Sequence, residues 1–428
     1  MPINNAMFIK QAFAVLVLLC ASGLNVAQEA QSEVVTSTDD LLPTVQLDEV
    51  RRREALTQIQ AKLELLESSR DAYDPEIGEL SLELALHLKE LGYLDLALVA
   101  YRKALHIVRI NYGLTSEQQL PILEQIHEVY EKSNIVEEAG FILEKILLVY
   151  QENYDPFSPA IADILERIGT WHLAAYYFEL DRTPITHLIA AKDAFEVVYE
   201  IDNQNNSSEY NYDLYNRLAM TYWGLSKFRI RPDPYNDAVT LRYQAEVVEQ
   251  SVNNSPHYAK AVLEKGLQVA NETGDPENMI RAALMYADWS QMFNMRHTAR
   301  QYYQTAYNQS ALLPEDNPLR QSFSTPHALP NMDFGTFGPQ KEMVGVASVL
   351  VEFDVTQWGV SRNVSICCET PPETDPDDSL EAVAEVDPKI LRTAISSIRK
   401  NIYRPAFLNG QPINFEGVRQ TVYVEKEQ

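Results

Sequence analysis

The sequence is poor in glycine, nearly free of cysteine and short of positive charge. Fifteen glycines in 428 residues leave few sites for tight left-handed turns, and no Gly-rich phosphate loop occurs. Three cysteines exclude a disulfide-stapled scaffold, and no Cys/His spacing resembles a metal site. The eight histidines are scattered. Glu124-x-x-His127 has the i, i+3 spacing of di-metal bundles but lacks the second copy such a site requires. No serine elbow and no HExxH is present. The expectation is a protein that is not an enzyme, with no catalytic residues, no cofactor, no metal and no evident small-molecule substrate. Lys and Arg number 35 against 61 Asp and Glu, a net charge of −26. Such a chain repels phosphate backbones, which excludes nucleic acid as a partner.

What is present begins with an apolar run, AFAVLVLLCASGL (Ala12 to Leu24), behind Lys10. Its length fits a signal-peptide core and falls short of the ~20 residues that cross a bilayer. Residues 1–27 therefore read as a signal peptide cleaved near Ala27, residues 28–46 as a disordered linker, and the protein as exported to the periplasm. Two alternatives stay open: lipidation at Cys20, despite Leu18 and Leu19 before it, and retention of the segment as an inner-membrane anchor. In the cleaved chain only Cys367 and Cys368 remain. A vicinal disulfide is strained, and adjacent strand residues point to opposite faces, so two free thiols are expected.

From residue 47 to 313 the chain repeats a rhythm of small and large residues. Ala97, Tyr101, Ala104 and Leu105 recur 42 residues on as Ala139, Leu143 and Ile146. The rhythm is looser at Ala191, Phe195 and Val198 and at Ala238, Arg242 and Ala245. It returns at Ala259, Leu263, Gly266 and Leu267, and at Ala299, Tyr303 and Ala306. Partner segments precede them, such as Leu84-Ala85-Leu88, Ile126-His127-Tyr130 and Tyr286-Ala287-Ser290. Antiparallel helices approach closely only where small side chains stand, and one pair cannot cover its own apolar stripe, so pairs stack. Breaks fall at LGYLD (Leu91 to Asp95), RPDPY (Arg231 to Tyr235) and TGDPE (Thr273 to Glu277). The pattern resembles the tetratricopeptide-repeat family in a 42-residue form. That resemblance implies a solenoid whose groove binds protein partners, with Tyr130, Trp171, Tyr222, Trp223 and Trp289 as candidate groove residues. His127 and His172 fall on repeat-core positions.

After Leu313 the texture changes. Residues 314–342 read as a linker or an arm laid across a surface. Ala347 to Val355 is β-rich, and Ser361 to Glu369 alternates with Val364, Ile366 and Cys368 on one face, which predicts a hairpin. An acidic loop, Glu369 to Val386, holds seven acids and no base. Asp387 and Pro388 then open a helix carrying Ile390, Leu391, Ala394, Ile395, Ile398 and Ile402 on one stripe. Pro405 stops it, Asn409-Gly410 makes a turn, and Val418, Val422 and Val424 share one face of a last strand. The expected fold is mainly α, an antiparallel helix-pair solenoid, plus a small C-terminal α+β domain of β-β-α-β order.

The segment FDVTQWGVSRNVSI (Phe353 to Ile366), the helix ending in YRPAFLNGQP (Tyr403 to Pro412) and the final strand resemble the C-terminal domain of the energy transducer TonB family, over residues 343–428. The resemblance assigns Tyr403, Arg404, Pro405, Asn409 and Gly410 to the family turn. It implies β-strand pairing with a protein partner, an outer-membrane receptor or another envelope protein, along Gly417 to Glu425. Val418, Gln420, Val422 and Val424 are the residues of that edge. The sequence departs from the transducers in having no His within Ala12 to Leu24 and no long Pro-rich arm. Two functions follow as expectations: a periplasmic adaptor, or a component of energised transport across the outer membrane held by an uncleaved N-terminal segment. Membrane contact is expected only in the second.

Overall fold

The computed structural model describes residues 42–180, 184–204, 210–228, 239–330, 346–367 and 388–425. The signal segment, the RPDPY turn, Cys368, the acidic loop and Asp387 lie outside the described residues. The chain divides into two compact units, Met1–Ile201 and Asp202–Gln428.

The first unit is built of paired helices resembling tetratricopeptide repeats. Its helices are α1 (Leu42–Ser69), α2 (Pro75–Glu90), α3 (Leu94–Tyr112), α4 (Leu120–Lys132), α5 (Val136–Asn153), α6 (Pro159–Tyr177) and α7 (Pro184–Gln204), the last running three residues past the boundary. Helix α1 starts inside the stretch expected to be a disordered linker. Pro43 does not oppose this, because a proline in the first helical turn costs no hydrogen bond. The other starts are written locally: the Asp74 carboxylate accepts the Glu76 N–H at 2.9 Å ahead of Pro75, and Ser158 caps α6 ahead of Pro159. After α2, Gly92 adopts φ +81° and turns the chain into α3.

The small residues of the repeat stand where helices touch. Ala85, Ala97, Ala104 and Ala139 are wholly buried, as are Tyr101, Leu143 and Ile146. A Cβ at Gly140 would lie 2.3 Å from the Trp171 ring, and one at Gly169 would lie 2.7 Å from the Phe195 ring. Glycine at these two positions is therefore a packing requirement, with each indole or phenyl ring seated on bare backbone.

The second unit holds α8 (Tyr212–Leu225), α9 (Val239–Thr273), α10 (Pro276–Met292), α11 (Arg296–Ser310) and the short α12 (Pro318–Gln321). The two repeat stretches around Arg242 and Ala259 were expected on separate helices. Both fall on the single 35-residue helix α9, which carries Pro256 inside it. A proline leaves the carbonyl four residues back without its helical donor. Here the Ser255 hydroxyl donates to that carbonyl, Val252 O, at 2.7 Å, so the helix passes through.

The same unit contains a small antiparallel sheet of order β3-β2-β7, formed by β2 (Val346–Val355), β3 (Ser361–Ile366) and β7 (Phe415–Glu425). Helix α13 (Pro388–Lys400) lies on one face. Val349, Val351, Phe353, Val355, Ala394, Ile398, Tyr403 and Val424 form the core between them. The simple β-β-α-β order gains three short strands between α13 and β7: β4 (Ile402–Arg404), β5 (Phe407–Leu408) and β6 (Gln411–Pro412). Ile402 thus belongs to β4, because the helix stops two residues earlier. Val364 packs on the core, whereas Ile366, at the end of β3, stays 39% exposed. Asn409 (φ +50°) and Gly410 (φ +75°) make the two-residue turn between β5 and β6.

Of the stretch expected as a linker or arm, residues 314–330 are among those described. It contributes α12, Phe323 to a core and β1 (His327–Leu329), which pairs antiparallel with β4. The sheet region is therefore joined to the last helices in one compact unit.

Candidate functional site

Two features of the second unit stand out: the junction where β4 and β5 meet α10 and α11, and the outer edge of β7.

The junction is centred on a buried ion pair. Arg404, 5% exposed, donates from Nε to Asp288 Oδ1 at 2.9 Å and from Nη2 to Asp288 Oδ2. The Tyr303 hydroxyl donates to the same Oδ1 at 2.8 Å. Burial opposes the guanidinium charge, yet the Asp288 carboxylate more than offsets it, and Arg404 is held above its ordinary pKa. Burial first, and the carboxylate second, push the Tyr303 phenol well above its usual value, so it remains a donor. On one side of Arg404, Tyr403 packs into the core of the sheet region. On the other, Phe407 enters a core made by Ile280, Ala283, Ala287, Tyr303 and Phe323.

Backbone contacts fix the same geometry. Gln291 Nε2 donates to Trp358 O at 2.6 Å, Tyr403 N–H to Gly359 O at 3.0 Å, and Phe407 N–H to Phe323 O at 2.7 Å. Gly359 has φ +71°, and a Cβ there would lie 1.9 Å from the Tyr403 carbonyl oxygen. Only glycine admits this approach.

His327 on β1 belongs to the junction. Burial and the Arg404 charge depress its imidazole, against the Thr325 carbonyl and the Asp288 carboxylate, which act in the other direction. The unfolded chain takes up the proton near pH ~6.5 while the folded chain does not. The unfolded state thus binds more protons in that window, and stability falls as pH drops below ~6.5, levelling off beneath the folded pKa. Thermal melts between neutral and mildly acid pH check this: His327→Gln is expected to flatten the decline, and an unchanged slope would remove His327 as its source.

Strand β7 pairs with β2 on one side only; among the described residues no strand covers its other edge. Val418, Val422 and Val424 face the core, and the half-buried Gln420 accepts from the Tyr403 hydroxyl at 3.5 Å. The side chains predicted for pairing are thus largely engaged at home, leaving backbone groups for a partner. Arg419, Thr421 and the 56%-exposed Tyr423 occupy the opposite face.

The predicted groove residues are mostly taken up by packing. Tyr130 is buried and its hydroxyl accepts from Arg102. Trp171 fills the hollow at Gly140 and donates from Nε1 to Val136 O at 2.8 Å. Tyr222 is buried beside Tyr258, and His127 and His172 are core residues. Lys227 Nζ lies 4.5 Å from the Trp223 ring and 5.7 Å from that of Phe293, whose ring meets Trp289 at a tilt, 4.7 Å between centroids. Across α2, α4 and α6, Lys89 bonds Gln125 and Glu128 while Arg167 grips Glu124 through two 2.8 Å bonds.

Sequence reasoning assigned Arg404 to a turn and missed Asp288, Gln291 and Trp358 altogether. The available signal was the run of polar residues Asp288, Ser290 and Gln291 within a stretch of aromatic and small residues; all three are buried.

Fold and geometry together define a helical-repeat protein, its helix pairs resembling tetratricopeptide repeats, with a small sheet region locked to its last helices. The sequence matches no family profile and no curated protein. Solved structures similar to it are the kinesin light chain nearly identical TPR-like repeats of Podosopora anserina (15% identity, TM-score 0.39, covering 56% of this chain and 99% of that one). A point variant of those repeats is similar too (15% identity, TM-score 0.38, 56% and 96%), as is BtubC (BKLC) from P. vanneervenii (14%, 0.35, 63% and 94%). These likenesses bear on no residue of the site. Among the described residues no helix is long and apolar enough to cross a membrane, and no group of His, Cys, Asp and Glu could hold a metal ion.

Proposed function

We propose that the protein is an exported, periplasmic protein-binding scaffold, acting by recognition rather than catalysis. In this reading the helix pairs present a surface to one protein partner, and a TonB-like C-terminal region offers the free edge of β7 to a strand of a second envelope protein. The observation that carries it is that edge, eleven residues long and paired on one side only among the described residues. The three-stranded sheet with a helix across it and the Asn409-Gly410 turn support the TonB-like assignment. The lock at Arg404 and Phe407 suits an adaptor, since it holds the sheet region at a fixed place on the last helices.

Pairing through backbone makes a specific prediction. Successive residues of a strand point their N–H groups to opposite edges. Of Gln420→Pro and Thr421→Pro, one therefore breaks a bond to β2 and the other removes only an outward donor. The outward variant is expected to keep its melting temperature and lose cross-linking, from a photoreactive group at Tyr423, to its envelope partner. Tyr423→Ala, with no cross-linker there and assayed by co-purification, retains binding. If neither proline affects capture, strand pairing is wrong. The mature N-terminus in envelope fractions separates this adaptor from the transport-component reading: a start near Gln28 in the soluble fraction supports the adaptor, and a retained Met1 in the inner membrane overturns it.

A further inference from the structure

A shallow surface cleft lies beside the junction and is lined by Gln291, Arg296, Arg300, Gln357, Trp358 and Pro412 among others. Its charge is one-sided. Among the described residues two arginines line it and no carboxylate does, in a chain whose acids outnumber its bases 61 to 35. Four other arginines of this unit meet acids: Arg281 lies near Glu277, Arg320 near Glu315, Arg404 pairs with Asp288 and Arg419 with Glu352. Among the described residues Arg296 and Arg300 meet neutral oxygens, Arg296 Nε donating to Asn294 Oδ1 at 2.9 Å and Arg300 Nη2 to Gln411 Oε1 at 2.7 Å. Each guanidinium has five N–H donors, so these contacts orient the forks and leave donors over. Helix α11 starts at Arg296 with no side-chain cap and no first-turn acid, which adds its positive end to the field.

The opposite wall is rigid and partly apolar. Trp358 is 41% exposed, yet its backbone is pinned by Gln291, and Gln357 N–H donates to Asn414 Oδ1 at 2.9 Å. An exposed indole held in place beside two oriented guanidiniums is a preorganised arrangement for a carboxylate with an apolar neighbour.

We propose that this cleft binds an acidic peptide segment of a protein partner, a side-chain carboxylate lying across Arg296 and Arg300 and a neighbouring aliphatic side chain on Trp358. The proposal rests on the reading of the chain as a protein-binding module but not on the β7 edge. Acids more than about 8 Å away do not prevent it, since screening confines their influence to that range at physiological salt.

The test uses the whole mature chain and a fluorescein-labelled peptide, acetyl-Asp-Leu-Glu-Leu-Asp-amide, followed by anisotropy, with its Asn/Gln counterpart as the neutral probe. The acidic peptide is expected to bind at least about tenfold more tightly than the neutral one, and Arg296→Gln and Arg300→Gln each to weaken it about tenfold. Trp358→Ala weakens it too, while Arg300→Lys keeps part of the binding because the charge survives without the fork. Melting temperatures and β7 cross-linking stay unchanged in the arginine variants, which separates failure of this site from failure of the strand-pairing reading. Equal binding of both peptides, no binding of either, or indifference to the arginine variants overturns the proposal. So does displacement by inorganic phosphate as effective as by unlabelled peptide, which would mark a bare anion site.

Discussion

Asp288→Ala is expected to destabilise the second unit by ~3–5 kcal/mol, the cost of leaving a buried guanidinium without its counter-ion. Arg404 is nearly inaccessible and takes both oxygens of Asp288, and Tyr303 bonds the same carboxylate. Removing the carboxylate strips all of these at once. Arg404→Met leaves the carboxylate buried with only the Tyr303 hydroxyl, and a loss of similar order follows. Removing both charges has a different outcome. Apolar side chains of like volume avoid the desolvation that the ion pair itself costs, so Asp288→Leu with Arg404→Met should lie within about 1–2 kcal/mol of the parent. Urea unfolding followed by tryptophan fluorescence reads this directly, because Trp289 is adjacent to Asp288. A double variant as unstable as the two singles summed would mean that the groups act independently and that no lock exists. The cycle also bears on specificity: a pair that adds little net stability while punishing every mismatch fixes where the sheet region sits, which an adaptor needs more than extra stability.

Much of the helical architecture was legible in the sequence because its cause is local. Asp74-Pro75 and Asp275-Pro276 state helix starts outright, and Ala97, Tyr101 and Ala104 state which side of α3 is covered. Asn409-Gly410 states a turn that needs φ above zero at both residues. The failures share a different cause. The stretches around Arg242 and Ala259 fall on one helix through Pro256, and only the structure places the Ser255 hydroxyl on the orphaned carbonyl that lets it pass. Trp171 stood out as a groove candidate because an indole in a repeat is conspicuous, whereas its seat on Gly140, thirty-one residues earlier, carries no local mark. The junction was illegible for the same reason. Asp288 and Arg404 lie 116 residues apart, and neither carries a local mark that it will meet a partner. A lone arginine before a proline fits a turn equally well. The outward edge of β7 falls between these cases: alternation shows which side chains face inward, while which edge stays open depends on the order β3-β2-β7, a long-range fact.

Phe407→Ala is the second large effect, with an expected cost of ~3–5 kcal/mol for a large buried ring in a packed core. The ring lies 5.8 Å from that of Tyr303, 5.9 Å from Tyr307 and 6.0 Å from Phe323, centroid to centroid. Its neighbour Leu408 points to solvent, so Leu408→Ala should stay within about 0.5 kcal/mol and serves as the control. The loss at Phe407 has a location. Phe407 belongs to the core of the last helices, not to the core beneath the sheet, where Tyr403, Phe353 and Ile398 meet. Without it the sheet region should detach before it unfolds. Hydrogen exchange distinguishes the two: amides of β1 and β4, which bridge the junction, are expected to lose protection, while those pairing β2 with β7 keep it. Uniform loss across β2, β4 and β7 would instead mean that sheet and helices share one cooperative core, with no separable docking step. The expected pattern makes the junction the weakest place in the second unit, so that any partner gripping β7 would load the Arg404 and Phe407 contacts before it loaded the sheet.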